Sequence, residues 1–224
     1  MNPFPEAQSK NAEKEERSGA TLFDHWAPHY DESVRSSSKT FPFAGYEQVL
    51  KEIVHRADVE TSMHILDLGT GTGNLAKRFI ELGGRVWGLD YSEAMLAQAR
   101  EKCPQETFIQ ADLHGDWPSF LDHRFDRIVS AYAFHHFDLS TKVKLIEQGM
   151  HLLKDHGRIV IGDISFETAA SREQAHKQWD SLWDDTEYYW AGDEAIAALD
   201  KIGLHTTYTQ VSFCAGVFTV ERRG

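Results

Sequence analysis

The feature that most constrains the fold is a regular alternation of short apolar runs with amphipathic stretches between Met63 and Asp163. Helical patterns occupy 74–82, 92–102 and 140–153 between the runs. Strands that alternate with helices of this length predict successive β-α-β units, and near-continuous apolar strands are typical of a parallel sheet buried on both faces. The five predicted strands are HILDL (64–68), RVWGLD (85–90), TFIQA (107–111), DRIVSA (126–131) and RIVIGD (158–163).

The pattern changes after the fifth predicted strand. Helical spacing covers 167–183 and 193–202, and two β-rich runs then close the sequence. HTTYTQVS (205–212) and FCAGVFTVE (213–221) are adjacent enough to form an antiparallel hairpin. A parallel sheet that ends in such a hairpin differs from an ordinary dinucleotide-binding fold.

The N-terminal part has a different composition. Residues 1–20 are polar and charged, which predicts a flexible tail. Residues 21–60 show helical spacing of aromatic and aliphatic side chains. With 224 residues in the chain, we expect one domain over 21–224 rather than two.

Composition excludes several classes of protein. The formal net charge of -12 argues against a nucleic-acid polyanion as the main partner, because phosphate binding uses clustered Lys and Arg. No run of about 18 apolar residues and no apolar leader occurs, so we expect no membrane span and a cytoplasmic location. Cys103 and Cys214 are too far apart in sequence to suggest a zinc motif, and both are expected as reduced thiols.

A glycine-rich segment, DLGTGTGN, follows the first predicted strand and precedes a helix. Its glycines permit tight turning and close approach of a ligand to the backbone. The dinucleotide fingerprint GxGxxG requires glycine at position 74, which is Asn74 here. The Asp67 carboxylate beside this loop would repel a pyrophosphate and suits a cationic ligand, although capping of nearby backbone is the simpler alternative for Asp67.

Three aspartates end successive predicted strands. Asp90 ends the second predicted strand, where a carboxylate can accept hydrogen bonds from ribose hydroxyls. Capping of the next helix is the alternative role for Asp90, and Ser92 could fill that role equally well. Asp112 follows the third strand, where an aspartate on its own is usually a turn former. Because the carboxyl ends of parallel strands share one edge of a sheet, Asp67, Asp90 and Asp112 are predicted to lie together where ligands bind.

Asp67, Gly69, Gly71 and Gly73 resemble the first motif of the class I S-adenosylmethionine-dependent methyltransferases. The resemblance implies an α/β, Rossmann-like fold with a seven-stranded, mostly parallel sheet whose last strand is antiparallel, and with helices on both faces. It implies S-adenosyl-L-methionine as cofactor. Asp67 would position the amino acid end of this donor, Asp90 its ribose, and Asp112 and the amide of Leu113 its adenine.

Two further segments resemble the same family. FDHWAPHYDESV (23–34), through Trp26, Tyr30 and Asp31, resembles a lid that folds over the donor, so that 21–60 is interpreted as a helical lid region; burial of an amphipathic helix on the sheet explains it equally well. SAYAFHHF (130–137) resembles the motif beside the transferred methyl group. Ser130 and Ala131 would then line the methionine portion of the donor.

His135 and His136 are the candidate catalytic residues, because one of them is placed to remove a proton from an acceptor or to orient it. A structural role is the alternative. No metal site is expected, since no other ligand motif accompanies the two histidines.

The acceptor is the least constrained part of the prediction. Trp179, Trp183 and Tyr188–Trp190 form an aromatic group that suits an acceptor wall, core packing or a dimer face alike, so a homodimer stays open. The acidic residues Asp184, Asp185 and Glu187 are expected to be solvated. Net acidity favours transfer to a small-molecule acceptor. The alternatives are a macromolecular acceptor (tRNA or protein), a NAD-dependent Rossmann oxidoreductase, and a donor-binding protein without turnover.

Overall fold

A computed structural model describes residues 24, 26–115, 117–118, 121 and 125–223. The tail predicted over residues 1–20 lies outside the described residues. The strands are β1 (His64–Leu68), β2 (Arg85–Asp90), β3 (Thr107–Gln110), β4 (Phe125–Ala131), β5 (Leu153–Phe166), β6 (Trp190–Ala191), β7 (Leu204–Gln210) and β8 (Ala215–Arg222). Seven of them follow one another across a single sheet in the order β3-β2-β1-β4-β5-β8-β7, and the short β6 pairs with the end of β5.

The direction of the strands agrees with the sequence prediction. β1 to β5 run parallel to one another, whereas β8 runs antiparallel to both β5 and β7. The predicted antiparallel hairpin and antiparallel last strand are therefore confirmed. β6, only two residues long, was not predicted, because a strand of that length has no periodicity to detect.

Helices cover both faces of the sheet, as predicted. The helices are α1 (Tyr30–Ser36), α2 (Tyr46–Ala57), α3 (Asn74–Glu81), α4 (Glu93–Lys102), α5 (Leu139–Leu152), α6 (Ala169–Gln178) and α7 (Gly192–Lys201). Apolar residues of α2, α3 and α4 pack on one face of the sheet, and those of α5 and α7 pack on the other, so that two separate hydrophobic clusters enclose the sheet.

The segment after β5 departs most from the prediction. β5 continues past Asp163 to Phe166 because Ile164 pairs with β8, and Ser165 and Phe166 pair with β6. The helix predicted over 167–183 is shorter, since Thr168 caps it at the start and it ends before Trp179. A 3-10 turn at Asp180–Leu182 and an irregular segment then lead to β6.

The remaining global expectations concern the thiols and the membrane. Cys103 and Cys214 are both unpaired and buried, as expected. Within the described part of the chain, every helix is too short or too polar to cross a bilayer.

Candidate functional site

A cavity of about 890 Å³ opens at the carboxyl edge of the parallel strands. Ten of the site residues predicted from the sequence line it, although they come from separate parts of the chain. They are Tyr30, Asp67, Gly69, Gly71, Asp90, Asp112, Leu113, Ala131, His135 and His136. The shared strand edge explains this convergence, because successive parallel strands deliver their following residues to the same place.

Ser130 is the exception. Its side chain is fully buried, and its hydroxyl donates a hydrogen bond to the carbonyl of Leu68 at 2.7 Å. The expectation that Ser130 lines the donor pocket is therefore wrong, because alternate residues of a strand point to opposite faces.

The glycine-rich loop between β1 and α3 needs glycine at two positions for different reasons. Gly69 has φ +68°, and a Cβ there would lie 2.4 Å from Cβ of Ala133. Gly71 has φ +54°, and a Cβ there would meet no atom of the described residues within 4 Å. Gly69 thus permits close packing of two loops, whereas Gly71 leaves open space beside the cavity.

Asp67, at the end of β1, is only 1% exposed. One carboxylate oxygen accepts a hydrogen bond from the hydroxyl of Thr70 at 2.7 Å, while the other, Oδ1, is buried and has no hydrogen-bond partner among the described residues. Burial raises the pKa of Asp67 to about 7, the bond from Thr70 opposes this, and the Asp90 carboxylate adds to it. A buried acceptor that lacks a partner is costly, so Asp67 is suited to receive a cationic donor group from a ligand.

Asp90, at the end of β2, is fixed by backbone groups. Its carboxylate accepts hydrogen bonds from the amide of Gly71 at 2.8 Å and from the amide of Ser92 at 3.0 Å. Ser92, not Asp90, caps α4, because its hydroxyl accepts from the amide of Met95. Burial raises the pKa of Asp90 even though both amides favour its charged form. Each oxygen keeps further acceptor capacity for ligand hydroxyls.

Asp112 lies on the outer rim of the cavity. Its carboxylate accepts a hydrogen bond from the amide of His114 at 2.9 Å, and its side chain is 68% exposed. Leu113 beside it is buried. Asp112 therefore forms the turn that the simpler alternative predicted, and it also borders the cavity, so the two roles are compatible.

The N-terminal segment is attached to the glycine-rich loop through Asp31. Its carboxylate accepts hydrogen bonds from Thr72 Oγ1 at 2.7 Å, Asn74 Nδ2 at 2.9 Å and Lys102 Nζ at 2.5 Å. Burial would raise the pKa of Asp31, but these bonds outweigh it and lower the pKa. Tyr30, next to Asp31, lines the cavity. The sequence analysis identified Asp31 only as part of a motif, not its partners.

The other end of the cavity contains a buried histidine–carboxylate pair. His135 Nδ1 lies 2.7 Å from Oδ1 of Asp163, which is fully buried in β5. Asp163 also accepts hydrogen bonds from the amide of Ile164 at 2.8 Å and from the indole of Trp190 at 3.1 Å. Burial opposes a charge on His135, yet the carboxylates of Asp163 and Glu187 raise its pKa. This pair orients the ring of His135 so that Nε2 points away from Asp163.

Glu187 faces the two histidines. Its Oε1 lies 3.6 Å from Nε2 of His135 and 3.9 Å from Nδ1 of His136, and its side chain is 16% exposed. Burial raises the pKa of Glu187, although His135 acts in the opposite direction. Burial and the neighbouring His135 lower the pKa of His136 to about 3, so its ring is neutral near pH 7. The expectation that Glu187 is solvated is wrong, whereas Asp184 and Asp185 are exposed as expected.

The segment that carries Glu187 is fixed by Tyr188. The amide of Tyr188 donates a hydrogen bond to the carbonyl of His135 at 2.7 Å. Its own carbonyl accepts from the ammonium of Lys142, which is buried and lies 4.3 Å over the ring of Trp190. Glu187 is thereby held against the histidines although it lies far from them in sequence.

Packing accounts for most of the aromatic group for which an acceptor wall, core packing and a dimer face were equally open interpretations. Trp179 and Trp183 stack on Phe41 at ring distances of 6.0 and 5.7 Å, and Tyr189 and Trp190 are buried. These residues lie outside the main cavity, whose described lining includes Phe43 and Tyr132 instead.

Charge is distributed unevenly over the described cavity lining. It contains five carboxylates, those of Asp67, Asp90, Asp112, Asp184 and Glu187. Among the described lining residues there is no Lys or Arg, and the basic side chains are three histidines. The cavity therefore favours cationic or uncharged groups over phosphates.

The sequence analysis missed Asp163 and Glu187. Asp163 ends the predicted strand RIVIGD, so the reasoning applied to the other strand-end aspartates identifies it as well. Glu187 has no local signal of this kind, because an acidic side chain in a polar segment is usually solvated.

Comparison with known proteins agrees with this geometry. A family described as "Methyltransferase domain" matches residues 65–157. An uncharacterized methyltransferase of Oceanobacillus iheyensis is 34% identical over 212 residues, which cover 90% of this chain and 96% of the relative. One from Bacillus pumilus is 32% identical over 214 residues, covering 91% and 97%.

Solved structures of similar fold include methyltransferases with bound donor or product. The complex of DhpI with S-adenosylhomocysteine superposes with a TM-score of 0.70 at 17% identity, covering 91% of this chain and 94% of that one. Magnesium protoporphyrin IX methyltransferase from Synechocystis PCC 6803, with bound S-adenosylhomocysteine, gives 0.66 at 17% identity, covering 92% and 100%.

Proposed function

Because this chain belongs to the class I S-adenosylmethionine-dependent methyltransferases, we propose that it transfers the donor's methyl group to a small-molecule acceptor bound at the His135 end of the cavity. The observation that supports S-adenosylmethionine as the methyl donor is the buried Oδ1 of Asp67, which lacks a hydrogen-bond partner in the part of the chain that the structure describes. S-adenosylmethionine is a sulfonium cation that also carries an ammonium group, and this ammonium donates the missing hydrogen bond to Oδ1. The NAD-dependent alternative is set aside.

The remaining donor contacts follow from the positions of the lining residues. Asp90 accepts the ribose hydroxyls through the capacity left beside its two backbone bonds. Asp112 and the amide of Leu113 receive the adenine edge at the rim, and Ala131 borders the methionine portion. Tyr30 and Trp26 cover the donor from the N-terminal segment, which Asp31 holds against the glycine-rich loop.

The charge of the cavity supports a small-molecule acceptor. Nucleic acid presents several phosphates, and binding proteins meet them with Lys and Arg, which the described lining lacks. Glu187 and Asp184 would instead repel a polyanion. A neighbour named as a magnesium protoporphyrin IX methyltransferase acts, by that name, on a small molecule.

The protein's main task in this reaction is positioning. The sulfonium already activates the methyl group, so the acceptor lone pair must be held in line behind the methyl carbon. The C–S bond then breaks, its electron pair stays on sulfur, and S-adenosylhomocysteine leaves. His135 and His136 border the place where the acceptor is held.

Two measurements test the proposal in sequence. Calorimetry should detect binding of S-adenosylmethionine and S-adenosylhomocysteine, and absence of binding at millimolar donor would refute it. Radiolabelled methyl transfer should then be screened over fractionated metabolites, with tRNA and protein fractions in parallel. Label that enters only the macromolecular fractions would refute the small-molecule acceptor, and bound donor without transfer to any fraction would favour a binding protein.

A further inference from the structure

We propose that His135, His136 and Glu187 form a binding site for a divalent transition-metal ion at the acceptor end of the cavity. One ligand atom from each of the three residues lies within 4.8 Å of the others. Around a tetrahedral ion with bonds of about 2.1 Å, ligand atoms lie about 3.4 Å apart. The two measured distances to Glu187 Oε1, 3.6 and 3.9 Å, need only a small contraction to reach this value.

The surroundings of His135 match those of a metal-bound histidine. A ligating imidazole usually donates its other N–H to a carboxylate, which fixes the tautomer and the direction of the lone pair. Asp163 provides that carboxylate at 2.7 Å from Nδ1 and is itself fully buried. The lone pair of Nε2 is then directed to the side where Glu187 lies.

The position of Glu187 is also fixed by its neighbours. The amide of Tyr188 binds the carbonyl of His135, and Tyr189 donates a hydrogen bond to the Glu187 carboxylate. His135 and Glu187 are thus each held in place by contacts with neighbouring residues. Such support is what distinguishes a built site from a chance cluster of side chains.

The set of ligands selects the kind of ion. Two imidazoles and one carboxylate suit Zn²⁺, Co²⁺, Fe²⁺ or Mn²⁺, whereas Mg²⁺ and Ca²⁺ prefer oxygen ligands alone. Three protein ligands leave one or more positions open to the cavity, as catalytic metal sites do. This assignment replaces the expectation that the site holds no metal.

An ion at this place would define the acceptor chemistry, an inference that rests on the proposed function. An ion held by these three residues would lower the pKa of an acceptor hydroxyl bound to it, so that this hydroxyl would lose its proton to solvent without a protein base. The oxygen lone pair would then form the bond to the methyl carbon while the C–S bond of the donor breaks and its electron pair stays on sulfur. The acceptor class is therefore a hydroxylated small molecule, and the two histidines act as ligands rather than as a general base.

The test uses tag-free, chelator-treated full-length protein titrated with Co²⁺, whose visible absorption reports coordination, followed by displacement with Zn²⁺. We expect saturation at one ion per chain. His136→Ala and Glu187→Gln should weaken Co²⁺ binding by about 100-fold or more, and Asp163→Asn, which removes only the supporting carboxylate, by about 10–100-fold.

His176→Ala is the matched control, because this exposed histidine also lies near a carboxylate, 3.5 Å from Asp185, yet outside the cavity. Its binding of Co²⁺ should equal that of the unaltered protein. No saturable uptake, or uptake that persists in both His136→Ala and Glu187→Gln, would overturn the metal site, and a proton shared between His135 and the two carboxylates would then explain the cluster.

Donor binding is measured by calorimetry on the same samples, with folding of each variant checked by circular dichroism. Donor binding without metal uptake removes the metal site and leaves the proposed function standing. Metal uptake without donor binding refutes the proposed function and leaves the metal site standing. The two proposals can therefore fail separately.

Discussion

The affinity for S-adenosylmethionine should depend on pH through Asp67. Because burial raises the pKa of this carboxyl from 3.8 to about 7, the free protein holds a proton on it in acidic solution. A cationic ligand favours the charged carboxylate and must displace that proton. Binding should therefore release a proton and become tighter as the pH rises, until Asp67 is fully ionised.

The size of the effect follows from the raised pKa. With a pKa of 7, about nine-tenths of the molecules have an ionised Asp67 at pH 8 and about one-tenth at pH 6. The dissociation constant should thus be about tenfold higher at pH 6, equivalent to about 1.4 kcal/mol. Near pH 7 about half a proton should be released for each donor bound.

Calorimetry in buffers with different ionisation enthalpies measures both quantities. Asp67→Asn is the control, because it keeps the shape and removes the charge. Its affinity should be nearly independent of pH and should match that of the unaltered protein at the acidic end. At pH 8, Asp67→Asn should unfold at no lower temperature, since no buried charge has to be accommodated. An unaltered protein with a flat profile, or a variant that keeps the slope, would refute the role assigned to Asp67.

Three further predictions test other parts of the site. Asp90→Ala should weaken donor binding by about 1–3 kcal/mol through lost ribose hydrogen bonds, as measured by calorimetry. Glu93→Ala, at an exposed position, is the control, and unchanged affinity in a folded Asp90→Ala would contradict the assignment. Gly69→Ala and Gly71→Ala each place a Cβ at positive φ, which should cost about 1–2 kcal/mol of folding stability. Only the Cβ of Gly69→Ala also collides with Ala133. In urea unfolding Gly69→Ala should therefore lose more stability, while Gly71→Ala should mainly weaken donor binding; equal losses of stability would count against this reading. Asp31→Ala should speed dissociation of S-adenosylhomocysteine several-fold in stopped-flow experiments, whereas Glu32→Ala on the exposed side of α1 should not; equal rates would mean that Asp31 does not retain the product.

The sequence was sufficient for the parts of the fold that local patterns determine. Strand periodicity located β1 and β2 at their observed bounds, and the direction of parallel strands placed Asp67 and Asp90 at one edge. These predictions need only short-range chemistry and one topological rule. Each residue that follows a strand in such a sheet inherits its position from the strand.

The acceptor end could not be predicted in the same way. Glu187 lies on an irregular segment whose path depends on packing of Trp183 against Phe41 and on the anchoring of Tyr188. Neither contact has a periodic signature. The histidines were identified by resemblance, and Asp163 is recognisable as a further strand-end aspartate. Its pairing with His135 and the approach of Glu187 required the tertiary structure, because these residues come from separate elements.

The placement of these carboxylates bears on how such a protein can change during evolution. The segment shared with the wider family, residues 65–157, ends before Asp163 and Glu187. Glu187 lies on a short irregular segment between α6 and β6. Tyr188 attaches this segment through its backbone amide and carbonyl, which any residue except proline provides. Recombination or drift in that irregular segment can therefore change which acceptor is bound, while the segment shared with the wider family continues to bind the same methyl donor.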